Sequence, residues 1–372
     1  MTRILPGAAV LLLAVIVGAD PSRAADVRIH VFGLFAPSEV RLQADSQILH
    51  FTTGSGEARL EGGQTATCRV AASQVACQTG RVRLEGASVA VTSEGNKAAF
   101  RLSVPGRIER RFEGRLELTA VGKSLRAVVM MDRETAVGAI VAAESPPGAT
   151  FEALKAQAVA ARSYLLAGVR HEGFDFCDTT HCQYLRAPAA EDDPARLAVA
   201  ATRGLVLTYA GKVVRALYSR SCGGVTRTLR EAGLAADGYP YFHVACDACL
   251  REPETWQATF DREAVGSLLE QRTEAMRLEV ARRVGWSRVP STRFEFTSDG
   301  NSVTLHGRGI GHGIGLCQRG SASLAAAGTT DFGAILRHYF PNTLLETQTD
   351  ARWETLPQAM PAPIRAAGVS RR

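Results

Sequence analysis

The sequence predicts an α+β chain, with a β-rich N-terminal region over residues 25–121 followed by a mixed region of helices and β-hairpins over residues 122–345. Three observations carry that prediction. Short segments before residue 121 alternate apolar and polar side chains between glycines, the period of half-buried strands. After residue 130 the period changes, and Val137, Ile140, Val141 and Glu144 fall at i, i+3, i+4 and i+7, one face of a helix. With 372 residues, 46% hydrophobic and 22% charged, the chain is long and apolar enough to bury a sizeable core and form two globular units.

Taken in order, Thr2-Arg3, the apolar run from Ile4 to Ala19 and the small residues near Ala24 follow the pattern of a secretory signal, expected over residues 1–24. The run is shorter than the roughly 20 apolar residues of a membrane span. No cysteine follows the cleavage zone to carry a lipid anchor, and no later segment is apolar and long enough to cross a bilayer. The expectation is an exported chain, in the periplasm or cell-wall space, with no membrane span after signal cleavage. Loss of Arg3, Arg23 and Asp20 lowers the formal charge from +6 to +5, so the mature chain stays basic and suits an anionic polymer. No basic run is interleaved with aromatics, so nucleic acid is not expected as a partner.

The strand-like segments are "VRIHVFG", "SEVRLQA", "ILHFTTG", "RVRLEG", "ASVAVTSEG", "AAFRLSV" and "RRFEGRLELTAV". Between them Cys68 and Cys77 flank "RVAASQVA" and can close a hairpin by a disulfide. A first helix is expected from a cap at Asp132 or Thr135 to Glu144, stopped by Pro146-Pro147. Thr150 caps a second, from Phe151 to Ala167, with Gly168 at its end and Phe151, Leu154, Ala158, Ala161 and Leu165 as its core face. Farther on, "RGLVLTYAGKVVRALYSRSCGG" reads as two strands about Ala210-Gly211-Lys212, with Tyr218, Ser219 and Ser221 at a strand end. Residues 258–284 read as helical, and "RFEFTSDGNSVTLHG" as a hairpin turning at Asp299-Gly300-Asn301. Residues 346–372, rich in Pro, Ala and Arg, are expected to form a flexible tail.

Two clusters invite chemistry. "HGRGIGHGIGLCQRG" places His312 among five glycines and Gln318 at the start of a helix, so backbone amides there can approach a ligand. The spacing excludes a nucleotide loop here, because this stretch contains neither G-x-G-x-x-G nor Gly-Lys-Ser/Thr. Cys317 admits a thiol-nucleophile reading, but nothing identifies an orienting partner. "RHEGFDFCDTTHCQYL" holds His171, Cys177, His181 and Cys182, all possible ligands of a soft metal. Its two cysteines can equally form disulfides with each other or with Cys222, Cys246 or Cys249. The same helical stripe that gives the first helix turns a carboxylate, Glu144, toward an interior, where lost hydration keeps a carboxyl protonated.

The blocks "VVMMDRETAVGAIVAAESPPGATFEALKAQAVAARSYLL", "CDTTHCQYL", "ATRGLVLTYAGKVVRALYSRSCGGVT" and "GRGIGHGIGLCQRGSASLAAAGTTDFGAILRHYFPNT" together resemble the SpoIID/LytB family, in order, over residues 121–342. The resemblance implies a SpoIID-like catalytic domain that cleaves peptide-stripped peptidoglycan glycan strands as a lytic transglycosylase. Glu144 would be its one catalytic residue. Glycan would be lined by Arg162, Tyr164, Gln183, Tyr218, Ser219, Ser221, His312 and Gln318. No cofactor would be required, and a structural zinc would sit on His171, Cys177 and Cys182. The family also covers amidase enhancers, so the competing expectation is a non-catalytic glycan-binding module with a cell-wall amidase as partner. A hydrolysing muramidase would need a second carboxylate to activate water, and the spacing of Asp132, Asp175 and Asp178 nominates none. Ser145 stands where the family usually has methionine after the catalytic glutamate, and Cys317-Gln318 where it often has Ser-Gln.

Overall fold

The structure, a computed structural model, describes residues 26–348 apart from residues 97, 169, 170, 237, 327 and 329. The expected signal and nearly all of the expected tail lie outside the described residues. Among the described residues no helix is long and apolar enough to cross a membrane.

The α+β class holds. Eleven strands open the described residues: β1 (Asp26–Val31), β2 (Glu39–Ala44), β3 (Leu49–Thr52), β4 (Glu57–Leu60), β5 (Thr65–Ala71), β6 (Gln74–Thr79), β7 (Val82–Gly86), β8 (Ser88–Thr92), β9 (Ala98–Val104), β10 (Ile108–Val121) and β11 (Ser124–Asp132). The long strand β10 serves two ladders. Its first half pairs with β9, which continues through β2, β5, β6 and β7; its second half lies between β11 and β8. The switch falls at Gly114, at φ +136°, where a Cβ would lie 2.1 Å from the Met130 carbonyl oxygen. Only glycine lets β10 bend there while staying hydrogen-bonded to β11. Alternation drives the inner faces together: Val40, Leu42, Phe51, Phe100, Phe112 and Leu116 are fully buried between the two leaves. Cys68 and Cys77 sit opposite each other in β5 and β6 and form the expected disulfide.

The expected boundary at residue 121 falls inside a hairpin, because β11 pairs with both β10 and β1. Strand β11 runs directly into α1 (Arg133–Glu144), whose cap is the Asp132 side chain accepting from the Thr135 amide. Helix α2 (Phe151–Ala167) is capped by Thr150 in the same way. Val137, Ile140 and Val141 bury the stripe of α1 against the β-sheet core. The alanines of α2 let it pack on two sides: Leu154, Ala158, Ala161 and Leu165 face that core, while Ala153, Ala156, Val159 and Ala160 face a second one. Phe151, expected on the core face, is instead 44% exposed with the Lys155 ammonium over its ring. It occupies the first turn, beyond the edge of the core.

The chain continues through β12 (Phe176–Cys177), α3 (Pro194–Ala201), β13 (Leu205–Tyr209), β14 (Lys212–Val213), β15 (Tyr218–Ser219) and α4 (Asp247–Arg251). Then come β16 (Thr255–Asp261), α5 (Arg262–Gln271), α6 (Glu274–Val284), β17 (Phe294–Asp299) and β18 (Ser302–Arg308). The last elements among the described residues are β19 (Leu316–Cys317), α7 (Gln318–Ala326), α8 (Phe332–Tyr339) and β20 (Leu344–Thr347), which pairs with β13. Residues 258–261, expected as helix, belong to β16, because Phe260 enters a third small core formed with β17, β18, α5 and α6. The hairpins about Ala210-Gly211 and Gly300-Asn301 form as expected. Parallel pairing of β15 with β19 sets Tyr218 beside Leu316 and Ser219 beside Cys317, which brings the strand end and the glycine loop together. Gly315, at φ +67°, allows this approach, since a Cβ would lie 2.1 Å from the Leu217 carbonyl oxygen.

Candidate active site

A cavity of about 480 Å³ opens where the end of α1, the segment after β12, strand β15, the start of α6 and the glycine loop meet. Glu144, Tyr164, Gln183, Tyr218, Ser219, His312 and Gln318 all line it. These residues come from segments more than 170 positions apart, and the fold converges them on one carboxylate.

Glu144 is the last residue of α1, because Ser145 is extended and Pro146-Pro147 cannot continue the helix. Its side chain is hydrogen-bonded by the Tyr184 amide and the Tyr218 hydroxyl. Gln318 Nε2 donates to the Glu144 carbonyl oxygen at 3.1 Å and reaches Gln157 Oε1 at 3.4 Å, tying α7 to α1 and α2. Although Glu144 keeps some accessible surface in the cavity, protein surrounds most of the carboxyl. Desolvation therefore raises its pKa to about 7, and the bonds from Tyr218 and the Tyr184 amide offset only part of that rise. Gln183 Nε2 donates to the Tyr218 hydroxyl oxygen at 3.1 Å and holds the phenol on Glu144. Burial, then the neighbouring Glu144 carboxyl, pushes the Tyr218 phenol well above its usual range, so it remains a hydrogen-bond donor.

His312 accepts the Ile314 amide on Nδ1 at 3.0 Å, which assigns its hydrogen to Nε2 in the neutral ring. Burial lowers its pKa to about 4, so it is neutral at physiological pH. Ser219 Oγ and Gln183 Oε1 are buried at the same cavity without a protein partner. Buried polar atoms of this kind ordinarily have partners, so these two are open to a bond from a ligand or water in the cavity.

Two expected lining residues stand elsewhere. Arg162 is 1% exposed and grips Glu134 with both ends of its fork at 2.7 and 2.6 Å, while also donating to the Leu205 and Val199 carbonyls. It lies two residues from Tyr164, roughly 200° around the helix, so the two cannot face the same cavity. Ser221 is buried past the end of β15, pairs by its backbone with Ile310, and turns its hydroxyl to Cys249 Sγ at 3.5 Å. Cys317 is fully buried behind the cavity wall. Sequence reasoning missed Tyr184, Glu274, Arg277 and Trp286, which also line the cavity. Glu274 and Arg277 form a buried ion pair one helical turn apart on α6. That i, i+3 pair was the available signal, but it reads equally as surface pairing.

Beside the cavity, His171, Cys177, His181 and Cys182 bring four donor atoms within 4.8 Å of one another. Cys177 and Cys182 sulfurs are 3.4 Å apart and not bonded; His171 Nε2 is 3.2 Å from Cys182 Sγ, and His181 Nδ1 is 3.8 and 3.5 Å from the two sulfurs. Two thiolates and two imidazoles around one tetrahedral ion are spaced about 3.3–3.8 Å apart, so the donor set fits a soft divalent metal. His181 supplies the fourth donor to the three expected.

Residues 121–209 match the family model for SpoIID, described as stage II sporulation protein. Over 263 residues the chain is 27% identical to an uncharacterized protein of Brachyspira hyodysenteriae, covering 62% of this chain and 70% of that one. It is 25% identical over 259 residues to the stage II sporulation protein D of Bacillus subtilis, covering 57% of this chain and 73% of that protein. A third relative, the amidase enhancer of Bacillus subtilis, is 24% identical over 285 residues; the alignment covers 55% of this chain and only 39% of that protein. These matches support the assignment of the chain to the SpoIID/LytB family.

Proposed function

We propose that the chain is an exported cell-wall enzyme, a lytic transglycosylase that cleaves peptide-stripped peptidoglycan glycan after N-acetylmuramic acid. Relatives named for sporulation and amidase enhancement support a cell-wall role. The observation that carries the enzymatic reading is Glu144, a carboxyl with its pKa raised to about 7 at the wall of the cavity. Protonated, it donates to the departing glycosidic oxygen while positive charge builds at the anomeric carbon. Ionised, it takes the proton from the muramyl 6-hydroxyl, whose oxygen closes on the anomeric carbon. The donated proton leaves with the alcohol, the hydroxyl proton returns to Glu144, and no water is consumed. Tyr218 holds the carboxyl between the two steps, and Ser219, Gln183 and neutral His312 are placed to bind sugar hydroxyls.

Activity is expected to decline as pH rises through about 7, because the free enzyme loses the protonated acid. A kcat/KM profile that stays flat from pH 5 to 9 would contradict that role. Trp286 lines the cavity while remaining 46% exposed, a surface suited to a sugar face. Trp286→Ala is expected to raise KM roughly tenfold with kcat little changed, the behaviour of uniform binding.

Zinc on His171, Cys177, His181 and Cys182 would be structural, with four protein ligands closing its shell. It would brace the segment that delivers Gln183 to Tyr218 and the Tyr184 amide to Glu144. The second reading, a glycan-binding amidase enhancer, is favoured by the name of one relative. Incubating the purified chain alone with peptide-free glycan separates them: shortened strands support the enzyme, while binding without cleavage, with a gain only when an amidase is added, supports the enhancer.

A further inference from the structure

A second group of cysteines lies away from His171 and its neighbours. Cys222 follows β15, Cys246 and Cys249 bracket the start of α4, and Cys317 ends β19. Their four sulfurs lie within 4.8 Å of one another, and each residue is at most 1% exposed. We propose that Cys222, Cys246, Cys249 and Cys317 form a closed four-cysteine centre that takes one zinc ion.

Three features of the cluster point to a metal. Four sulfurs around a single zinc are separated by about 3.8 Å, given Zn–S bonds of about 2.3 Å, and Cys249 Sγ lies 3.6 Å from Cys317 Sγ. Thiols buried for packing alone scatter among apolar neighbours, whereas these four converge on one another. The surroundings also supply hydrogen bonds to sulfur. The Cys222 and Gly320 amides each donate to Cys317 Sγ at 3.4 Å, the Tyr339 hydroxyl donates to Cys246 Sγ at 3.4 Å, and the Ser221 hydroxyl lies 3.5 Å from Cys249 Sγ. Such donors stabilise the thiolate form that a metal requires. Gly320 makes room for this shell, since a Cβ there would lie 1.9 Å from the Tyr339 oxygen and 2.5 Å from Cys246 Sγ.

A redox role for Cys246 and Cys249 fits less well, because an exchanging dithiol needs access and these are buried. Zinc binding transfers no electrons; each thiol gives its proton to water as its sulfur takes the metal. The consequence is local. The ion would staple together the end of β15, the start of α4 and the head of α7. Gln318, next to Cys317, reaches the Glu144 carbonyl, so the staple fixes one wall of the cavity without supplying a reacting group.

The test is metal content of the full chain purified without chelator, with the first cluster removed as Cys177→Ser/Cys182→Ser. The expected result is one zinc per chain in that variant, lost when Cys246→Ser/Cys249→Ser is added. If the first variant does not fold, differential alkylation of the unaltered protein gives the same answer. Cys222, Cys246, Cys249 and Cys317 should be reduced, protected, and released together when a chelator removes zinc. Two disulfides among them, four reduced thiols in a folded zinc-free chain, or iron in place of zinc would overturn the proposal. None of these readings depends on glycan cleavage, so the centre and the enzymatic activity stand or fall separately.

Discussion

Glu144→Gln is expected to leave folding and glycan binding intact while slowing cleavage of peptide-free strands by about 10²–10⁴-fold. Gln keeps the shape of the side chain and can still accept the Tyr184 amide, but it can neither give nor take the proton. The same variant carries a stability signature. A carboxyl whose pKa is about 7 in the folded chain and near 4.5 when unfolded stabilises the fold fully below the lower value. That contribution declines as pH rises and is lost once pH passes the folded value. Above pH 7 the loss amounts to about 3 kcal/mol, and Gln is spared it. Urea unfolding should therefore show Glu144→Gln gaining stability over the parent between pH 4.5 and 7, with the gap constant beyond. A gap that shrank with rising pH would mean the carboxyl is not held in a desolvating site.

Arg162→Ala is expected to destabilise the fold by about 3–5 kcal/mol, because removing one partner of a buried pair strands the other charge. The guanidinium links Glu134 at the start of α1 to the Val199 carbonyl of α3 and the Leu205 carbonyl of β13. Its loss leaves a carboxylate and two carbonyls without that donor, in a region with little solvent. Urea unfolding measures the effect directly. A residue lining the cavity would behave differently, with unchanged stability and an altered KM, and that outcome would place Arg162 in the site after all.

Glu144 was legible from local pattern. Four residues at helical spacing, a cap at Asp132 and a proline pair fix the helix, its end and the inward side chain. The hairpins at Ala210-Gly211 and Gly300-Asn301 were legible for the same reason, since turn chemistry acts within a few residues. What stayed hidden depends on contacts made at long range. Tyr164 and Arg162 sit on one short helix and look equally available, yet the partner elements send one to the cavity and the other into an ion pair. Strand β16 carries the alternation of Trp256, Ala258 and Phe260, but a helical run follows at once and masks it. The cysteine centre joins residues 222, 246, 249 and 317, and only the pairing of β15 with β19 brings the outer two together.

The most direct measurement is a mass spectrum of the ends formed when the purified chain cleaves peptide-free glycan in water enriched in oxygen-18. If Glu144 serves as acid and then base, every new muramyl end is a 1,6-anhydro ring and carries no heavy oxygen. Reducing ends labelled with oxygen-18 would contradict the account. They would mean that water attacks the anomeric carbon and that a second carboxylate, with Glu274 already in the cavity wall, activates it.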